Sequence, residues 1–419
     1  METRTRTIGI VGSGIAGLHL GLKLQQAGVA TTIYSDRTSE QIRAGRVPNF
    51  VARFGRTQAR ERALGVASWC TPEFAVPSAH FRINGEQPLV FCGTLSEPIS
   101  IVDMRVYLSA LLDTFAARGG RVVIGDVRAA DLENLAHEHD LIVVASGRVS
   151  LTDLFPRIPE RSPYTVPQRR LFGGLFHGIS FPEPLGTSYN VSPGHGELFQ
   201  MPFATFEGRV SSLVFECIPG GGLERIVDMR YDDDPHAFEE TVLGLLQEHA
   251  PAIYERVDRR AFRLTRPLDL LQGAITPVVR SGYTRLAGGT FAVAIGDVRV
   301  VVDPLVGQGA NTASQSAWLL GEEIMAGGPF DEAFCRRAET RIWESARPAT
   351  EWTNAALQSP PQHVIDVFVA AAQNQAIADE IANNFNTPAR NWAIFESPEG
   401  ARAFLDRASK PSEQVALSK

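Results

Sequence analysis

A glycine-rich segment near the start of the chain carries the strongest chemical signal in the sequence. The apolar stretch Thr7–Val11 leads into Gly12–Gly17, and a leucine-rich stretch without proline follows. This order of strand, tight turn and helix is the context in which G-x-G-x-x-G binds a dinucleotide. We expect Gly12 to form the turn, Gly14 to admit a pyrophosphate against the backbone and Gly17 to let the helix pack on the strand. The alternative is a glycine-rich turn in an ordinary βα unit.

Polar residues follow the next predicted strand, Thr31–Tyr34. An acidic residue about 20 residues beyond the glycines typically binds ribose hydroxyls, which makes Asp36 the candidate, although an aspartate in a polar turn is also common. Arg43 and Arg46 come next, and we expect one of them to contact a phosphate, because a guanidinium binds phosphate in a bidentate manner. The arginines of segment 56–62 are interpreted as a solvated helix face.

A second glycine-rich junction occurs far along the chain. Phe291–Ile295 has the composition of a buried strand and is followed by Gly296-Asp297. Pro304 then precedes the segment 305–311, which opens a helix predicted to run through Ala326. Two strand-to-helix junctions of this kind suggest one extended cofactor that is contacted at both of its ends.

The remaining pattern predicts an α/β protein with a Rossmann-like domain and an inserted α+β domain. Asn84-Gly85 indicates a hairpin, and segment 197–218 alternates like a second hairpin that turns at Glu207-Gly208. We predict a discontinuous cofactor domain of residues 1–75, 100–155 and 285–345, a substrate domain of residues 76–99 and 156–284, and a helical region of residues 346–419.

Composition excludes several classes of function. The chain has 419 residues, 44% hydrophobic residues and a net charge of −7, which favours neither nucleic acid nor a membrane surface as a partner. The four cysteines are far apart, and the start of the chain leaves no room for a signal peptide, so we expect a cytoplasmic protein. Asp232–Asp234 before Pro235 is interpreted as a helix start rather than a metal site. No metal site is predicted.

The second junction resembles the second FAD fingerprint of flavoprotein monooxygenases with the p-hydroxybenzoate hydroxylase fold. The resemblance implies that Asp297 binds the ribityl chain and that residues 307–311 lie beside the isoalloxazine ring. The helix start would stabilise the negative charge of reduced flavin at that edge. The residues expected to contact the cofactor are Gly12, Gly14, Ile15, Ala16, Gly17, Asp36, Arg37, Arg46, Arg105, Val127, Gly296, Asp297, Pro304, Gly307, Gln308, Gly309, Ala310 and Asn311.

A closer resemblance covers almost the whole chain. Segments 8–24, 192–197, 231–235 and 303–311, together with EWTN near the C-terminus, are similar to the oxygenase component of styrene/indole monooxygenases. The resemblance implies that FADH2 comes from a separate NADH:FAD oxidoreductase. With O2 it would form a C4a-hydroperoxyflavin that epoxidises an aryl alkene or indole. Ser146-Gly147 stands where single-component hydroxylases carry Asp-Gly, which agrees with an enzyme that binds no nicotinamide.

The resemblance also indicates the substrate pocket. Asn49 and Pro304 are the predicted catalytic residues, and no catalytic histidine is expected, although Asn49 could equally be a turn residue after Pro48. The predicted apolar wall consists of Val51, Val76 and Ala79. Because Val76 and Ala79 are small, we expect indole or larger bicyclic aromatics to be accepted at least as well as styrene. Two other functions stay open, a self-sufficient NAD(P)H-dependent hydroxylase and an FAD-binding protein without oxygenation chemistry. A homodimer is an option.

Overall fold

The computed structural model describes residues 6–67, 69–147 and 149–408. Within these ranges it contains 17 strands and 14 α-helices. The strands are β1 Thr7–Val11, β2 Ala30–Ser35, β3 Ala52–Arg53, β4 Ala75–Ile83, β5 Leu89–Ile101, β6 Arg121–Ile124, β7 Leu141–Val144, β8 Arg170–His177, β9 Gly186–Ser192, β10 Gly196–Thr205, β11 Gly208–Cys217, β12 Arg263–Leu264, β13 Leu270–Ala274, β14 Val278–Val279, β15 Tyr283–Arg285, β16 Phe291–Ala294 and β17 Val300–Val301. The helices are α1 Ile15–Gln26, α2 Ser39–Ala44, α3 Gly55–Ala63, α4 Met104–Ala117, α5 Leu132–Glu138, α6 Val149–Thr152, α7 Pro235–His249, α8 Pro251–Tyr254, α9 Gly309–Ala326, α10 Glu332–Ala356, α11 Gln362–Gln373, α12 Gln375–Asn383, α13 Pro388–Phe395 and α14 Pro398–Ala408.

A six-stranded sheet with the order β15-β16-β7-β1-β2-β6 forms the first layer. All its pairings are parallel except that of β15 with β16. Helices α1, α4 and α9 contribute to a common apolar core with β1 and β2. The parallel strands end at one edge of the sheet, so the turns after β1, β2, β7 and β16 meet there. This arrangement confirms the predicted Rossmann-like domain.

A nine-stranded sheet forms the second layer, with the order β12-β8-β11-β10-β9-β4-β5-β3 and β13 also paired with β8. The two predicted hairpins are confirmed, because β4 pairs with β5 and β10 pairs with β11 in antiparallel register. Helix α7 begins after Asp234, whose Oδ1 accepts a hydrogen bond from the Ala237 N–H at 2.9 Å, as the interpretation of Asp232–Pro235 requires. Phenylalanines of β8, β11 and α7 pack together into a second core.

The C-terminal helices close one side of the large sheet. Helix α12 packs along β5, and α10 to α14 share an apolar core with the aromatic residues of β4 and β5. The predicted domain boundaries stay predictions, but the boundaries at 99/100 and 345/346 fall inside β5 and α10. Among the residues that the structure describes, no helix combines the length and the apolar character needed to cross a bilayer.

Candidate active site

The first glycine-rich turn has the geometry that dinucleotide binding requires. Gly12 has φ +118°, and a Cβ there would lie 2.7 Å from the Ala145 carbonyl carbon. A Cβ on Gly17 would lie 2.0 Å from the Gly12 oxygen, so the close approach of α1 to β1 excludes any side chain. A Cβ on Gly14 would meet no atom within 4 Å. The backbone at Gly14 therefore faces open space. Helix α1 begins at Ile15, and the N–H groups of its first residues lack intrahelical partners. These features fit a pyrophosphate.

The predicted adenosine end lies at the ends of the neighbouring strands. Asp36 and Arg37 directly follow β2, are exposed, and pair with each other at 3.5 Å. The Ser13 and Ser35 hydroxyls, 2.7 Å apart, tie the glycine turn to the end of β2. Val127 follows β6 and packs against the core that contains Tyr34. The structure thus brings Asp36, the predicted ribose contact, and the predicted cofactor contacts Arg37 and Val127 to the edge that carries the glycines.

The second junction meets the first one directly. Gly296 has φ +61°, and a Cβ there would lie 3.0 Å from the Ala16 Cβ, so the turn after β16 rests on the start of α1. Part of the Asp297 side chain is exposed to solvent. Its carboxyl is nevertheless closely surrounded by protein atoms, and the resulting loss of hydration raises its pKa. Both observations fit a carboxyl at the base of an open cleft. A Cβ on Gly147 would lie 3.7 Å from the Asp297 Cβ, which places the end of β7 at the same cleft. The cleft fits a polyol chain such as the ribityl group.

Two residues of the predicted flavin-facing segment use their side chains to hold the segment in place. Asn311 Oδ1 accepts hydrogen bonds from the Phe54 N–H at 3.1 Å and the Thr57 hydroxyl at 2.7 Å. Its Nδ2 donates to the Ala52 and Gly307 carbonyls, both at 2.9 Å. Gln308 Nε2 donates to the carbonyls of Val306 and Phe385. These two amides are engaged within the protein, which leaves the backbone N–H groups at the start of α9, around Gly309 and Ala310, as the expected flavin contacts.

The predicted arginine contacts are engaged within the protein. Arg46 donates from Nη1 to the carbonyls of Pro267 and Leu270 at 2.9 and 2.8 Å. Arg105 is 1% exposed and is paired with Asp103 at 2.5 Å and Asp269 at 2.6 Å. These bonds tie α2, α4 and the segment before β13 together. Contact of either arginine with the cofactor stays a prediction.

An aromatic cavity lies between the large sheet and the loop that carries Pro304. Its walls include Phe50, Phe81, Tyr189, Phe199, Met201 and Phe385. Of the predicted pocket residues, Pro304 and Ala79 line this cavity. Val76 is fully buried in the core around it, Val51 packs against the core of the first sheet, and Asn49 is exposed in the loop before Phe50. Sequence reasoning missed most of the aromatic wall, because alternation within strands does not distinguish a cavity wall from core.

A group of buried acids adjoins this cavity. Arg169 donates to both oxygens of Glu197, at 2.8 and 3.0 Å. Glu216 lines the cavity and is fully buried, and neither of its carboxyl oxygens has a donor when it is ionised. Asp303 is also fully buried, and its Oδ1 accepts from the Leu305 N–H at 3.1 Å. Burial, followed by the charge of Asp303, raises the pKa of Glu216 well above its usual range.

A second buried polar cluster corrects the interpretation of Arg60 as part of a solvated face, whereas Arg56 and Arg62 are exposed as predicted. Glu61 is buried and accepts from Arg53 Nε at 2.7 Å and from the Tyr107 hydroxyl at 2.8 Å. His19 bonds Tyr107 at 2.6 Å and Ser314 at 2.9 Å. Arg60 donates to the same Ser314 hydroxyl at 2.8 Å. Burial first, then Arg60 and Arg53, lowers the pKa of His19 to about 3. His19 is therefore a neutral structural group.

The fold is the one found in flavin-dependent halogenases and oxygenases. The chain is similar in structure to flavin-dependent brominase Bmp2 (TM-score 0.66, 14% identity, 96% of this chain and 98% of that one). It is also similar to a flavoprotein/dehydrogenase from Cytophaga hutchinsonii (TM-score 0.67, 14% identity, 96% and 98%). A third similar structure is 2-methyl-3-hydroxypyridine-5-carboxylic acid oxygenase (TM-score 0.56, 17% identity, 93% and 96%). At these identities the likeness shows the fold alone.

Sequence relatives identify the family within that class. Residues 147–256 match the family model described as "Styrene monooxygenase A putative substrate binding domain". The chain is 41% identical over 398 residues to "Styrene monooxygenase StyA" of Pseudomonas fluorescens, covering 94% of this chain and 96% of the relative. The StyA of a Pseudomonas species matches at the same identity and coverage. The chain belongs to the styrene monooxygenase family, which confirms the resemblance noted from its motifs.

Proposed function

We propose that the protein is the oxygenase component of a two-component flavoprotein monooxygenase. It takes FADH2 from a separate NADH:FAD oxidoreductase and uses O2 to epoxidise an aryl alkene or indole. The observation that carries this proposal is the aromatic cavity that ends at Pro304, beside the helix start expected to face the flavin. A cavity of this lining suits a planar apolar substrate held against a flavin edge.

The residues around the cleft would divide the work of holding the cofactor. The turn at Gly14 and the start of α1 would bind the pyrophosphate, Asp36 the ribose, and Asp297 the ribityl hydroxyls. Reduced FAD, when bound, supplies the electrons that activate O2. The start of α9 would stabilise negative charge on the flavin edge, and the aromatic wall would keep water from the reacting oxygen.

The end of β7 supports the use of an external reductase. Ser146-Gly147 follows β7, beside Asp297, and supplies no carboxylate at that position. Single-component hydroxylases carry an Asp-Gly motif there that is associated with both FAD and NAD(P)H. A chain without it is expected to receive its flavin already reduced.

The cavity is also the basis for a substrate proposal. Ala79 is the smallest side chain named on the predicted wall, and it does line the cavity. A larger apolar groove between the sheet and the C-terminal helices shares Phe81, Tyr189, Val306 and Phe385 with the cavity. We infer that an apolar aromatic substrate enters through this groove and that a bicyclic aromatic such as indole is accepted at least as well as styrene.

The function is tested by supplying purified protein with chemically reduced FAD and ¹⁸O₂, together with styrene or indole. We expect one ¹⁸O atom in the product and no turnover with NADH alone, while an added NADH:FAD reductase restores turnover. Substrate-stimulated NADH oxidation by the pure protein would support the self-sufficient hydroxylase instead. Failure to incorporate oxygen from reduced FAD would support a flavin-binding protein without oxygenation chemistry. A homodimer and a cytoplasmic location stay predictions.

A further inference from the structure

The carboxyls of Glu216 and Asp303 form a pair with more negative charge than its surroundings can neutralise. Glu216 ends β11, Asp303 precedes Pro304, and both are fully buried. The charged groups that act on Glu216 are Asp303, Glu197 and Arg169. The same charged groups, together with Glu216, act on the nearby Tyr189. Among the described residues, Arg169 is the cation that acts on Glu216 and Asp303, and it already binds both oxygens of Glu197.

One proton resolves this imbalance. With both groups ionised, the two Glu216 oxygens and Asp303 Oδ2 have no hydrogen-bond donor, which is costly in a buried site. With a single proton between them, the two side chains form a hydrogen bond and one negative charge is removed. Asp303 Oδ1 stays bound to the Leu305 N–H, which fixes the orientation of the pair.

We propose that Glu216 and Asp303 share one proton at neutral pH and that Glu216 donates it to the oxygen reaction in the adjoining cavity. Glu216 lines that cavity, and so does Pro304, the neighbour of Asp303. This inference rests on the proposed function for its second half, because only an oxygen reaction consumes the proton. The first half, proton sharing, concerns the protein alone.

The proposed reaction consumes one proton, which a donor in the protein can supply. When the reduced flavin enters as its anion, alkene + O2 + FADH⁻ + H⁺ gives epoxide + FAD + H2O. The flavin is oxidised by two electrons, and O2 is reduced, with one oxygen atom going to the substrate and the other to water. The O–H bond of Glu216 breaks to supply the H⁺, and the carboxyl pair is reprotonated from solvent before the next turnover.

Infrared spectroscopy of the flavin-free protein tests the shared proton. The parent should show a carboxylic acid C=O band that shifts in D2O, and Glu216→Gln should abolish it. A glutamine at 216 can donate an N–H to ionised Asp303, so the variant keeps the hydrogen bond and is expected to fold. Glu207→Gln, at an exposed position on the turn between β10 and β11, is the matched control and should leave the band unchanged. Absence of the band in the parent, or its persistence in Glu216→Gln, would overturn the proposal.

Rapid mixing tests the donation. Protein loaded with reduced FAD is mixed with O2 in weak buffer that contains a pH indicator. In the parent, proton uptake from solvent should lag behind the flavin absorbance change, because the first proton comes from the pair. In Glu216→Gln the oxygen reaction should slow by roughly 10²-fold, in the range of general acid catalysis, and the lag should disappear. An unchanged rate and lag would refute donation. Because the infrared test needs no flavin, its result separates failure of this inference from failure of the proposed function.

Discussion

Two buried polar clusters in this protein differ in how completely they are satisfied. The cluster of Arg53, Glu61, Tyr107, His19 and Arg60 links α1, α3, α4 and α9 by hydrogen bonds within the protein. The cluster at the cavity leaves the Glu216 carboxyl and one oxygen of Asp303 without a donor when both are ionised. Asp297, in the cofactor cleft, is exposed.

This difference in hydrogen bonding distinguishes side chains that stabilise the fold from side chains that are available to bind a ligand or transfer a proton. In the first cluster Arg53 Nη1 lacks a hydrogen-bond partner, but the other bonds of the network fix helix positions. Removing a charged member of this network leaves an unpaired charge. A buried polar group without a donor destabilises the fold, and an exposed polar group contributes little to stability, but both are available to a ligand or a proton. We therefore expect variants of the first cluster to lose stability and variants of the cleft and cavity to lose function while they stay folded.

The largest effect is expected for Glu61→Ala. It leaves the buried Arg53 guanidinium without its carboxylate, which typically costs about 3–5 kcal/mol of unfolding free energy. Denaturant unfolding followed by circular dichroism measures this loss. The neighbouring exposed residue supplies the control, because Arg62→Ala should stay within about 0.5 kcal/mol of the parent. A small effect of Glu61→Ala on the free energy of unfolding would show that the first cluster does not stabilise the fold more than the second.

Asp297→Ala should show the opposite behaviour. Loss of a charge-assisted hydrogen bond to the ribityl chain is worth roughly 1.5–3 kcal/mol, so FAD affinity should fall about ten- to a hundred-fold. A fluorescence titration with FAD measures the affinity, and thermal unfolding of the flavin-free protein should hardly change. An unchanged titration curve in a folded variant would contradict the assignment of Asp297.

The pH dependence of the first cluster follows from His19. Its pKa is about 3 in the folded protein against an ordinary value of 6.5, so the unfolded chain binds the extra proton more readily. The stabilisation is present above pH 6.5 and is lost as the pH falls toward 3, by about 2 kcal/mol between pH 7 and pH 5. Urea unfolding at both pH values, in the parent and in His19→Gln, isolates this contribution. Equal acid sensitivity of the two proteins would show that His19 does not cause it.

Ala79→Phe should change substrate preference at the cavity. Overpacking a close-fitting wall costs on the order of 1–3 kcal/mol, and the cost should fall mainly on a bicyclic substrate. Relative kcat/KM for indole and styrene measures the preference. If both substrates suffer equally, or if the parent strongly prefers styrene, the proposed role of Ala79 is wrong.

Glu216→Gln should change how stability depends on pH above the unfolded pKa of 4.5. Because the folded pKa of Glu216 is raised, its stabilisation is full below the unfolded value of 4.5 and is lost as the pH rises through the folded pKa. Glutamine does not titrate, so the variant should gain stability relative to the parent as the pH rises. This is the opposite sign to His19. A parallel decline in both proteins would contradict proton sharing.

Local features of the fold were predictable from the sequence. Each predicted strand, hairpin and cap depends on residues that are neighbours in the chain. Gly12 and Gly17 lie in one turn, Asp234 caps the α7 helix that it precedes, and the β10–β11 hairpin turns where a glycine follows Glu207. The meeting of both glycine-rich junctions at one edge was also predictable, because parallel strands place their carboxyl ends together.

Only the tertiary structure decided which polar groups are buried and what they contact. Arg60 was interpreted as part of a solvated face, but it donates to Ser314 of α9. Arg105 was predicted to contact the cofactor, and only the structure shows that it pairs with Asp269 from a distant segment. Glu216 lies in a hairpin that was predicted from the alternation of residues in segment 197–218. No pattern in the sequence indicates that it contacts Asp303. The physical reason is that backbone preferences act between neighbouring residues, whereas the burial and pKa of a charged group depend on side chains brought from distant parts of the chain.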